Sequence, residues 1–392
     1  MIELPPYRLG LVVGETSGDL LAAEVLKGLQ ARFRPQTIEA AGIGGPRLAD
    51  AQFDAWWPAQ ILAVNGYVEA LRAYPRLARI RQQLVQRWRA RPPDLFLGVD
   101  APDFNLGLEI QLRRAGVRTA HFVSPSIWAW RRERISTIRK AVDHMLLVFP
   151  FEQAIYREAG IPATYVGHPL ADVIPRYPDR AAARARLLRH AVPSDGDLIA
   201  ILPGSRVSEI RHIGPVFLSA ARRLIRQRPQ LRCVLPAATP ALHAMLMAEL
   251  DTVFPANGPE RERITLIQGQ SHDAMAAALG VLVASGTASL EAALFGRPMV
   301  IAYRLHRLNY ALMRRRAYLP WIGLPNILAG ESLVPELLQD AATPDALADA
   351  LLQQLDDRSA CDRLAQRFGE MHEQLACGCA QRTADLIHDL RR

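Results

Sequence analysis

The sequence has few cysteines, almost no lysine and no long apolar run. No stretch approaches the roughly 18–20 apolar residues that cross a bilayer, so we expect no transmembrane helix. The first residues, Met-Ile-Glu-Leu-Pro-Pro, lack the basic and apolar segments of a secretory signal, which makes the cytoplasm the expected compartment. The cysteines, Cys233, Cys361, Cys377 and Cys379, have no companion at zinc-ligand spacing, so we expect reduced thiols and no metal site.

The charge is strongly positive and is carried almost wholly by arginine. The formal net charge is +8 and the pI about 9.7, and Lys27 and Lys140 are the only lysines. Such a chain suits nucleic acid, anionic lipid or phosphorylated substrates, because the guanidinium group matches phosphate geometry. A GC-rich genome would also favour arginine, so the composition does not distinguish between these three classes of partner. The sequence carries no groove-reading or base-stacking motif, and we therefore expect no nucleic-acid partner.

Short apolar segments alternate with helical patterns, which is typical of parallel βα units. The predicted strands of the first half are Leu9–Val13, Thr37–Ala41, Asp94–Val99, Arg118–Val123, Met145–Phe149 and Thr164–Val166. Those of the second half are Leu198–Leu202, Arg232–Leu235, Ile264–Ile267, Val281–Ala284 and Met299–Ala302. The pattern restarts after a joint near 167–180. We expect two doubly wound α/β domains, residues 1–175 and 176–392, the second ending in a helical tail that could pack back on the first.

Ligands of open parallel sheets bind outside the carboxyl ends of the strands, so the strand-end loops are the candidate sites. The first strand runs into Gly-Glu-Thr-Ser-Gly-Asp at 14–19, where backbone amides at a helix start could hold an anion. The alternative is a tight turn with Ser17 or Asp19 as the helix N-cap. A second glycine cluster, Gly42–Pro46, could admit a close ligand.

Asp100 follows the strand ending at Val99 and lies beside a proline. A carboxylate there could accept the proton of an attacking sugar hydroxyl, which makes Asp100 the candidate general base. Asp103 is better interpreted as a helix N-cap.

The segment 121–130 reads His-Phe-Val-Ser-Pro-Ser-Ile-Trp-Ala-Trp and is followed by three arginines within four residues. Hydroxyl groups of Ser124 and Ser126, two indoles and basic charge predict a sugar and phosphate surface. The alternatives are indoles buried in the core and His121 as a strand residue whose hydrogen bonds are satisfied within the fold.

In the second domain a strand ends in Pro-Gly-Ser-Arg, so that Gly204, Ser205 and Arg206 suit a diphosphate leaving group. Another strand ends in Ser285, Gly286 and Thr287 at a helix start, a favourable position for phosphate. Glu291, one turn into that helix, could accept hydrogen bonds from ribose. The alternative is a capped helix whose dipole Glu291 stabilises.

A basic amphipathic helix is predicted where apolar residues recur at helical spacing between arginines. It suits an anionic lipid surface, or it packs its apolar stripe on the first sheet. The apolar positions are Val68, Leu71, Tyr74, Leu77, Ile80, Leu84 and Trp88, and the first arginines are Arg72 and Arg76.

These motifs together resemble the lipid-A-disaccharide synthase family. The strings that carry the resemblance are Gly-Glu-Thr-Ser-Gly-Asp at 14–19, Asp-Ala-Pro-Asp-Phe-Asn at 100–105, Val-Ser-Pro-Ser-Ile-Trp-Ala-Trp at 123–130, Gly-His at 167–168, Pro-Gly-Ser-Arg at 203–206, Ser-Gly-Thr-Ala at 285–288 and Leu-Pro-Asn-Ile-Leu-Ala-Gly at 324–330. They occur in family order from residue 9 to about residue 340. The segment 268–272 departs from the family.

The resemblance implies a GT-B type fold of two Rossmann-like domains facing across a cleft. It implies transfer from UDP-2,3-diacylglucosamine to the 6-hydroxyl of 2,3-diacylglucosamine 1-phosphate, inverting to a β(1→6) disaccharide, with no metal or other cofactor. By similarity Asp100 is the base, the segments at 204–206 and 285–291 with Asn326 bind UDP, and Glu15 and Ser17 belong to the first-domain loop.

The substrates are lipids, so the resemblance also implies peripheral binding at the cytoplasmic face of an anionic inner membrane. The oligomeric state, monomer or homodimer, stays open. A UDP-N-acetylglucosamine 2-epimerase is the main alternative, because it would share the scaffold and the UDP site. A membrane-bound scaffold without catalysis would leave the polar strand-end residues unexplained.

Overall fold

The computed structural model describes residues 5–14, 16–62, 67–305, 310 and 318–390, and for 16, 17 and 67–72 it describes the backbone alone. The chain forms two compact units. Unit 1 comprises Met1–Asp172 and Leu375–Arg392, and unit 2 comprises Val173–Gln374. Each unit contains one sheet in which every strand pair is parallel, which confirms the predicted pair of doubly wound α/β folds.

Unit 1 has a seven-stranded sheet of order β3-β2-β1-β4-β5-β6-β7. Its strands are β1 Tyr7–Val13, β2 Ile38–Gly44, β3 Asp54–Pro58, β4 Leu95–Val99, β5 Thr119–Phe122, β6 His144–Leu147 and β7 Ala163–Tyr165. Its helices are α1 Thr16–Arg32, α2 Pro46–Asp50, α3 Tyr67–Ala90, α4 Pro102–Arg114, α5 Ile135–Ala141, α6 Glu152–Glu158 and α7 Pro169–Val173, which ends at the boundary between the units.

Unit 2 has a six-stranded sheet of order β10-β9-β8-β11-β12-β13. Its strands are β8 Asp197–Leu202, β9 Leu231–Ala237, β10 Ile264–Gln268, β11 Gly280–Ala284, β12 Met299–Tyr303 and β13 Glu336–Leu338. Its helices are α8 Arg180–Leu188, α9 Val207–Gln227, α10 Pro240–Val253, α11 Ser271–Ala277, α12 Thr287–Leu294, α13 Leu324–Ala329, α14 Pro344–Asp356 and α15 Arg358–Leu375, whose last residue belongs to unit 1.

The strands β3 and β13 were not predicted from sequence. Both lie at an edge of their sheet, and neither is fully buried on both faces. The first reads Asp-Ala-Trp-Trp-Pro and the second has three residues, so neither shows the long Val/Ile/Leu run that reveals a buried parallel strand. The pattern that identified the central strands was therefore absent at these edges.

Both sheets reverse their winding direction at one pair of neighbouring strands. In unit 1 the chain moves from β1 outward to β2 and β3 and then returns to β4 on the other side of β1. In unit 2 the same reversal separates β8 from β11. The paired strands end almost level, with Val13 opposite Val99 and Leu202 opposite Val283. Loops diverge at such a reversal and leave a crevice outside the carboxyl ends of the strands.

Helix α3 packs its later turns on the sheet of unit 1. Ile80, Leu84 and Trp88 are buried in one apolar cluster, and the Trp88 ring lies edge-on to Phe96 with centroids 5.1 Å apart. These three side chains therefore pack on the first sheet, which was the second of the two interpretations of this helix, and they cannot contact a lipid surface. The side chains of Val68, Leu71 and Arg72 lie outside the described residues, whereas Arg76 is exposed. Across the described part of the chain, no helix combines the length and apolarity needed to span a bilayer.

The last helix, α16 Cys379–Asp389, packs against α1 within unit 1. The carboxylate of Asp172 accepts the backbone N–H groups of Gly378 at 2.9 Å and Cys379 at 2.6 Å, which satisfies amides that a helix start leaves without intrahelical partners. Arg32 donates to Asp385 at 2.7 Å across the helix pair. The C-terminal residues are therefore structural parts of unit 1.

A buried polar cluster ties together the loops that follow β5 and β6. Glu152 is only 1% exposed, and its carboxylate accepts the indole N–H of Trp128 and the backbone N–H of Phe149, each at 3.1 Å. Ser124 Oγ and Tyr156 Oη share a hydrogen bond of 2.7 Å in the same cluster. Burial raises the pKa of Glu152 to about 8, although these hydrogen bonds favour its charged form. The carboxyl group is therefore mostly protonated in the folded protein at neutral pH.

The raised pKa of Glu152 predicts that the free energy of unfolding of the protein depends on pH. Its folded-state pKa, about 8, exceeds the ordinary value of 4.5, so the folded state holds the extra proton between these values. The stabilising contribution is complete below the ordinary pKa and is lost as pH rises through the folded one. The free energy of unfolding of the wild type should therefore fall more steeply from pH 5 to pH 9 than that of Glu152→Gln. Glu158→Gln, which removes an exposed carboxylate from the same helix, is the control, and parallel curves for wild type and Glu152→Gln would contradict the assignment.

Candidate active site

The turn that carries Asp100 lies at the winding reversal of unit 1 and has an unusual backbone. Asp100 and Ala101 both adopt left-handed conformations, with φ of 51° and 44°. Such angles are unfavourable for residues other than glycine and persist only where the surrounding structure enforces them. Gly14, at the end of β1, lies directly against this turn, because a Cβ atom there would be 2.2 Å from the Cβ of Ala101. The Gly14 and Asp100 loops thus form one packed unit.

Two hydrogen bonds to backbone groups of Asp100 fix the turn, one from its N–H and one to its carbonyl. Asp100 donates its N–H to the carbonyl of Phe122 at 2.9 Å, and its own carbonyl accepts the Asn105 side-chain amide at 2.8 Å. The Asp100 residue is partly exposed at the carboxyl edge of the sheet. A half-buried carboxylate on a fixed backbone can accept a proton from a bound hydroxyl group.

His121 is a buried strand residue that pairs with a carboxylate inside the fold. It is fully buried on β5, and its Nδ1 lies 2.6 Å from Oε1 of Glu109, which is also fully buried. Burial alone would lower the pKa of His121, but the Glu109 carboxylate raises it above its usual value, with a smaller contribution from Asp100. Burial in turn raises the pKa of Glu109. Sequence reasoning gave no role to Glu109, although a glutamate on the apolar face of a helix beside a strand histidine was the available signal.

Two aspartates have roles other than those expected. Asp19 does not cap its own helix: it is 2% exposed, and its carboxylate accepts the backbone N–H groups of Gly45 at 2.8 Å and Arg47 at 2.9 Å. It therefore caps α2, and the second glycine cluster approaches this carboxylate. Asp103 is not the N-cap of α4, because Ala101 occupies that position and Asp103 forms an ion pair with Arg134.

The other predicted residues of unit 1 are divided between buried, exposed and undescribed positions. Ser124 is 7% exposed and belongs to the Glu152 cluster, whereas Ser126 is exposed. Trp128 is half-buried, with its ring edge-on to Phe151 at a centroid distance of 5.4 Å. Glu15 and the side chain of Ser17 lie outside the described residues. Trp130 is 36% exposed. A ligand could therefore reach Ser126, Trp128 and Trp130 of this segment.

In unit 2 the loop after β8 is organised by Glu209. Its carboxylate accepts the backbone N–H groups of Ser205 at 2.9 Å and Arg206 at 3.3 Å and lies 3.6 Å from the Arg206 guanidinium. Gly204 has a φ of 124°, and a Cβ atom there would lie 2.4 Å from the Glu209 carboxylate. The Arg206 side chain is 49% exposed. The loop therefore presents a positive charge on a fixed backbone at the winding reversal of the sheet.

The loop after β11 presents an open helix start beside the β8 loop. Gly286 has a φ of 150°, and both Gly286 and Thr287 are exposed at the first residues of α12. Ser285 is held by a hydrogen bond from its Oγ to the carbonyl of Ile322 at 2.9 Å. Exposed N–H groups and the positive end of the helix dipole make this position favourable for a phosphate group.

Glu291 pairs with a histidine that sequence reasoning did not assign. Oε2 of Glu291 lies 3.3 Å from Nε2 of His272, which is in the first turn of α11 and belongs to the segment 268–272 that departs from the family pattern. The hydrogen bond to Glu291 is the main cause that raises the pKa of His272. The His272 ring also lies edge-on to Phe295 at 5.4 Å. Glu291 is therefore paired with a side chain that is itself 42% exposed.

Asn326 is fully buried and uses its whole amide inside the fold. Its Nδ2 donates to the carbonyl of Val334 and to Glu336, and its Oδ1 accepts the N–H groups of Leu333 and Val334, at 2.8–3.0 Å. A carboxamide has two donor and two acceptor positions, and all are occupied. Glu336 in turn accepts the N–H of Ile322 at 2.8 Å, and the Ile322 carbonyl holds Ser285. Asn326 thus supports the Ser285 loop from behind, and direct contact with a nucleotide would break one of its bonds.

Solved structures share this fold at low sequence identity. A UDP-GlcNAc 2-epimerase from Neisseria meningitidis, bound to UDP-GlcNAc, aligns with a TM-score of 0.66 and 12% identity over 98% of this chain and 99% of its own. The glycotransferase of kitacinnamycin aligns with a TM-score of 0.64 and 16% identity over 98% and 99%. These likenesses show a two-domain fold that epimerases and glycosyltransferases share.

Comparison of sequences identifies the family, whereas the fold alone does not. The sequence model described as Lipid-A-disaccharide synthetase matches residues 9–386. A protein of Burkholderia mallei (strain SAVP1) named Lipid-A-disaccharide synthase is 53% identical over 98% of this chain and 97% of its own length. One of Cupriavidus pinatubonensis with the same name is 52% identical over 98% and 93%. The chain therefore belongs to the lipid-A-disaccharide synthetase family.

Proposed function

We propose that this protein is an inverting glycosyltransferase that makes the lipid A disaccharide. It transfers the sugar of UDP-2,3-diacylglucosamine to the 6-hydroxyl of 2,3-diacylglucosamine 1-phosphate, with UDP as the second product. The observation that carries the proposal is family membership over nearly the whole chain, together with relatives about half identical that bear this name. The epimerase alternative is not favoured, because its support is a fold likeness at 12% identity.

In this proposal Asp100 is the general base. Its carboxylate accepts the proton of the acceptor 6-hydroxyl while that oxygen forms a bond to C1 of the donor sugar. The bond between C1 and the diphosphate oxygen breaks on the opposite face, so an α-linked donor gives a β-linked product. Support comes from the position of Asp100 at the end of β4, beside the winding reversal of the sheet, and from its partial exposure.

The leaving diphosphate gains negative charge in this step, and unit 2 supplies groups that stabilise it. Arg206 offers an exposed guanidinium, and the start of α12 offers the N–H groups around Gly286 and Thr287. We assign Gly204 and Ser205 to the same phosphate loop. Glu291 would accept hydrogen bonds from ribose hydroxyls, with His272 orienting its carboxylate. Ser285 and Asn326 would hold the loop in place.

Replacement of Asp100 and of Arg206 should affect different steps. Asp100→Asn keeps the shape of the side chain but cannot accept the proton, so kcat should fall by about 10²–10⁴-fold while the Kd for UDP changes little. Arg206→Ala removes charge from the diphosphate site, so the Kd for UDP should rise together with the loss of kcat. The measurements are disaccharide formation with both lipid substrates and calorimetric titration with UDP.

The comparison of the two variants decides the assignment. An Asp100→Asn enzyme with wild-type kcat would remove Asp100 from the role of base. An Arg206→Ala enzyme with unchanged UDP affinity and kcat would remove the arginine from the diphosphate site. Omission of the acceptor is the control, because a transferase forms no disaccharide without it.

We further propose that the enzyme works at the cytoplasmic face of an anionic membrane, where its diacylated substrates reside. Tyr74 on α3 is 62% exposed, and Arg76 and Arg79 on the same helix are also exposed. The sequence places Val68, Leu71 and Arg72 one to two turns earlier on the same helix. Exposed basic and apolar side chains on one helix are suited to the interface of an anionic bilayer.

Charge reversal on α3 should weaken membrane binding. At low salt the wild type should sediment with vesicles of phosphatidylcholine and phosphatidylglycerol, and Arg76→Glu/Arg79→Glu should bind them at least about tenfold more weakly, because each basic group near the surface contributes about 1 kcal/mol. Arg114→Glu/Arg157→Glu, which reverses two exposed arginines on other helices, is the matched control. Equal binding of wild type, test and control variants would refute a role for α3.

A further inference from the structure

Three polar side chains converge in the protein interior next to the Asp100 turn. Asn105 and Glu109 lie one turn apart on α4, and His121 lies on the neighbouring strand β5. All three are fully buried. They meet above Gly98 of β4, where a Cβ atom would be 2.1 Å from Oε1 of Glu109, 3.0 Å from Nδ1 of His121 and 3.2 Å from Cβ of Asn105. Only a glycine leaves room for this layer.

Asn105 connects the layer to the strained turn. Its Nδ2 donates to the carbonyl of Asp100 at 2.8 Å and lies 3.3 Å from the carbonyl of Val12. The same amide group therefore reaches the ends of β1 and β4, the two strands between which the winding reverses. The Asp100 carbonyl has to point inward to accept this bond, which favours the left-handed conformation of the residue.

The Glu109–His121 contact holds Asn105 in position. The distance of 2.6 Å between Oε1 and Nδ1 joins α4 to β5, and Asn105 lies on the same face of α4 as Glu109. The Asp100 carboxylate also interacts electrostatically with the imidazole of His121. The side chain of Asp100 and its backbone are thus both coupled to the buried layer.

A layer of this kind is costly for a protein core. In the described part of the chain, Asn105 Oδ1 and Glu109 Oε2 are buried without a hydrogen-bond partner. A buried polar atom without a partner destabilises a fold, and apolar side chains of similar volume commonly give equal or greater stability. The layer is therefore better explained by what it does to Asp100 than by core packing.

We propose that Asn105, Glu109 and His121 are positioning residues that hold the Asp100 turn in its strained conformation and so direct its carboxylate at the acceptor hydroxyl. The inference rests on the proposed role of Asp100 as the base. These residues do not touch the reacting atoms. They act through the orientation of the turn, and a displacement of about 1 Å at a reacting group can reduce the rate by about 10²-fold.

The test compares Asn105→Ala with Thr119→Val in the full-length protein. Thr119 is also fully buried on β5, but it lies at the opposite end of the strand, where its Oγ1 donates to the carbonyl of Ala141 at 2.8 Å. Both changes remove buried hydrogen bonds and should lower the thermal midpoint. Only Asn105→Ala should reduce kcat, by about 10²-fold, with the KM values and the Kd for UDP within about threefold of wild type.

A second pair of variants keeps the test decisive if Asn105→Ala fails to fold. His121→Asn retains an N–H group near the position of Nδ1, whereas His121→Leu retains only volume. The asparagine variant should keep kcat within about tenfold of wild type, and the leucine variant should lose about 10²-fold. Equal kcat values for the two folded variants would overturn the proposal.

Asp100→Asn is measured in parallel to separate two kinds of failure. If Asp100→Asn is inactive while Asn105→Ala keeps wild-type kcat, the positioning layer is wrong and the base assignment stands. If Asp100→Asn is active, the base assignment fails, and this inference fails with it. A fall in kcat that Asn105→Ala and Thr119→Val share would indicate a general loss of stability and would also overturn the proposal.

Discussion

The left-handed turn at Asp100 and Ala101 is the constraint on which the account of unit 1 depends. Neither residue prefers this conformation, and the turn persists because hydrogen bonds from Asn105 and to Phe122 fix its backbone while Gly14 leaves space for Ala101. The consequence is a carboxylate held by rigid elements at the carboxyl edge of a parallel sheet. The precision of a general base depends on such support more than on the carboxyl group itself.

In the proposed mechanism, unit 2 uses the same topology for a different chemical task. Its winding also reverses between two central strands, and the loops after these strands carry an exposed arginine and an open helix start. Support again comes from buried residues behind the loops: Glu209 holds the Arg206 backbone, and Asn326 and Glu336 hold the segment that contacts Ser285. In both units the groups proposed to act in the reaction are thus at least partly exposed, and the residues that fix them are largely buried.

The difference between the loop residues at the strand ends and the buried residues that support them explains what the sequence could predict. Buried parallel strands appear as runs of Val, Ile and Leu, and the loops that follow them carry the motifs, so the two sheets and the residues around Asp100, Arg206 and Gly286 were accessible to pattern analysis. The family resemblance was equally accessible, because its strings are contiguous. The short edge strands β3 and β13 carry no such pattern and were missed.

Long-range partners were not predictable from local pattern. Asp19 caps a helix that starts 27 residues later, Asp103 pairs with Arg134, and Glu291 pairs with His272. Local capping is an adequate explanation for each of the two aspartates, and stabilisation of the helix dipole is an adequate explanation for Glu291. The role of Asn105 was hidden in the same way, because an asparagine inside a helix shows its bond to the Asp100 carbonyl only when the fold is known.

The most direct test of the central claim is a crystal structure of the Asp100→Asn variant with both substrates bound. The account predicts that the side chain at position 100 lies within about 2.6–3.2 Å of the acceptor 6-hydroxyl oxygen. It also predicts that residues 100 and 101 keep their left-handed conformations. An acceptor hydroxyl held by another carboxylate or histidine, with position 100 out of hydrogen-bonding reach, would contradict the account.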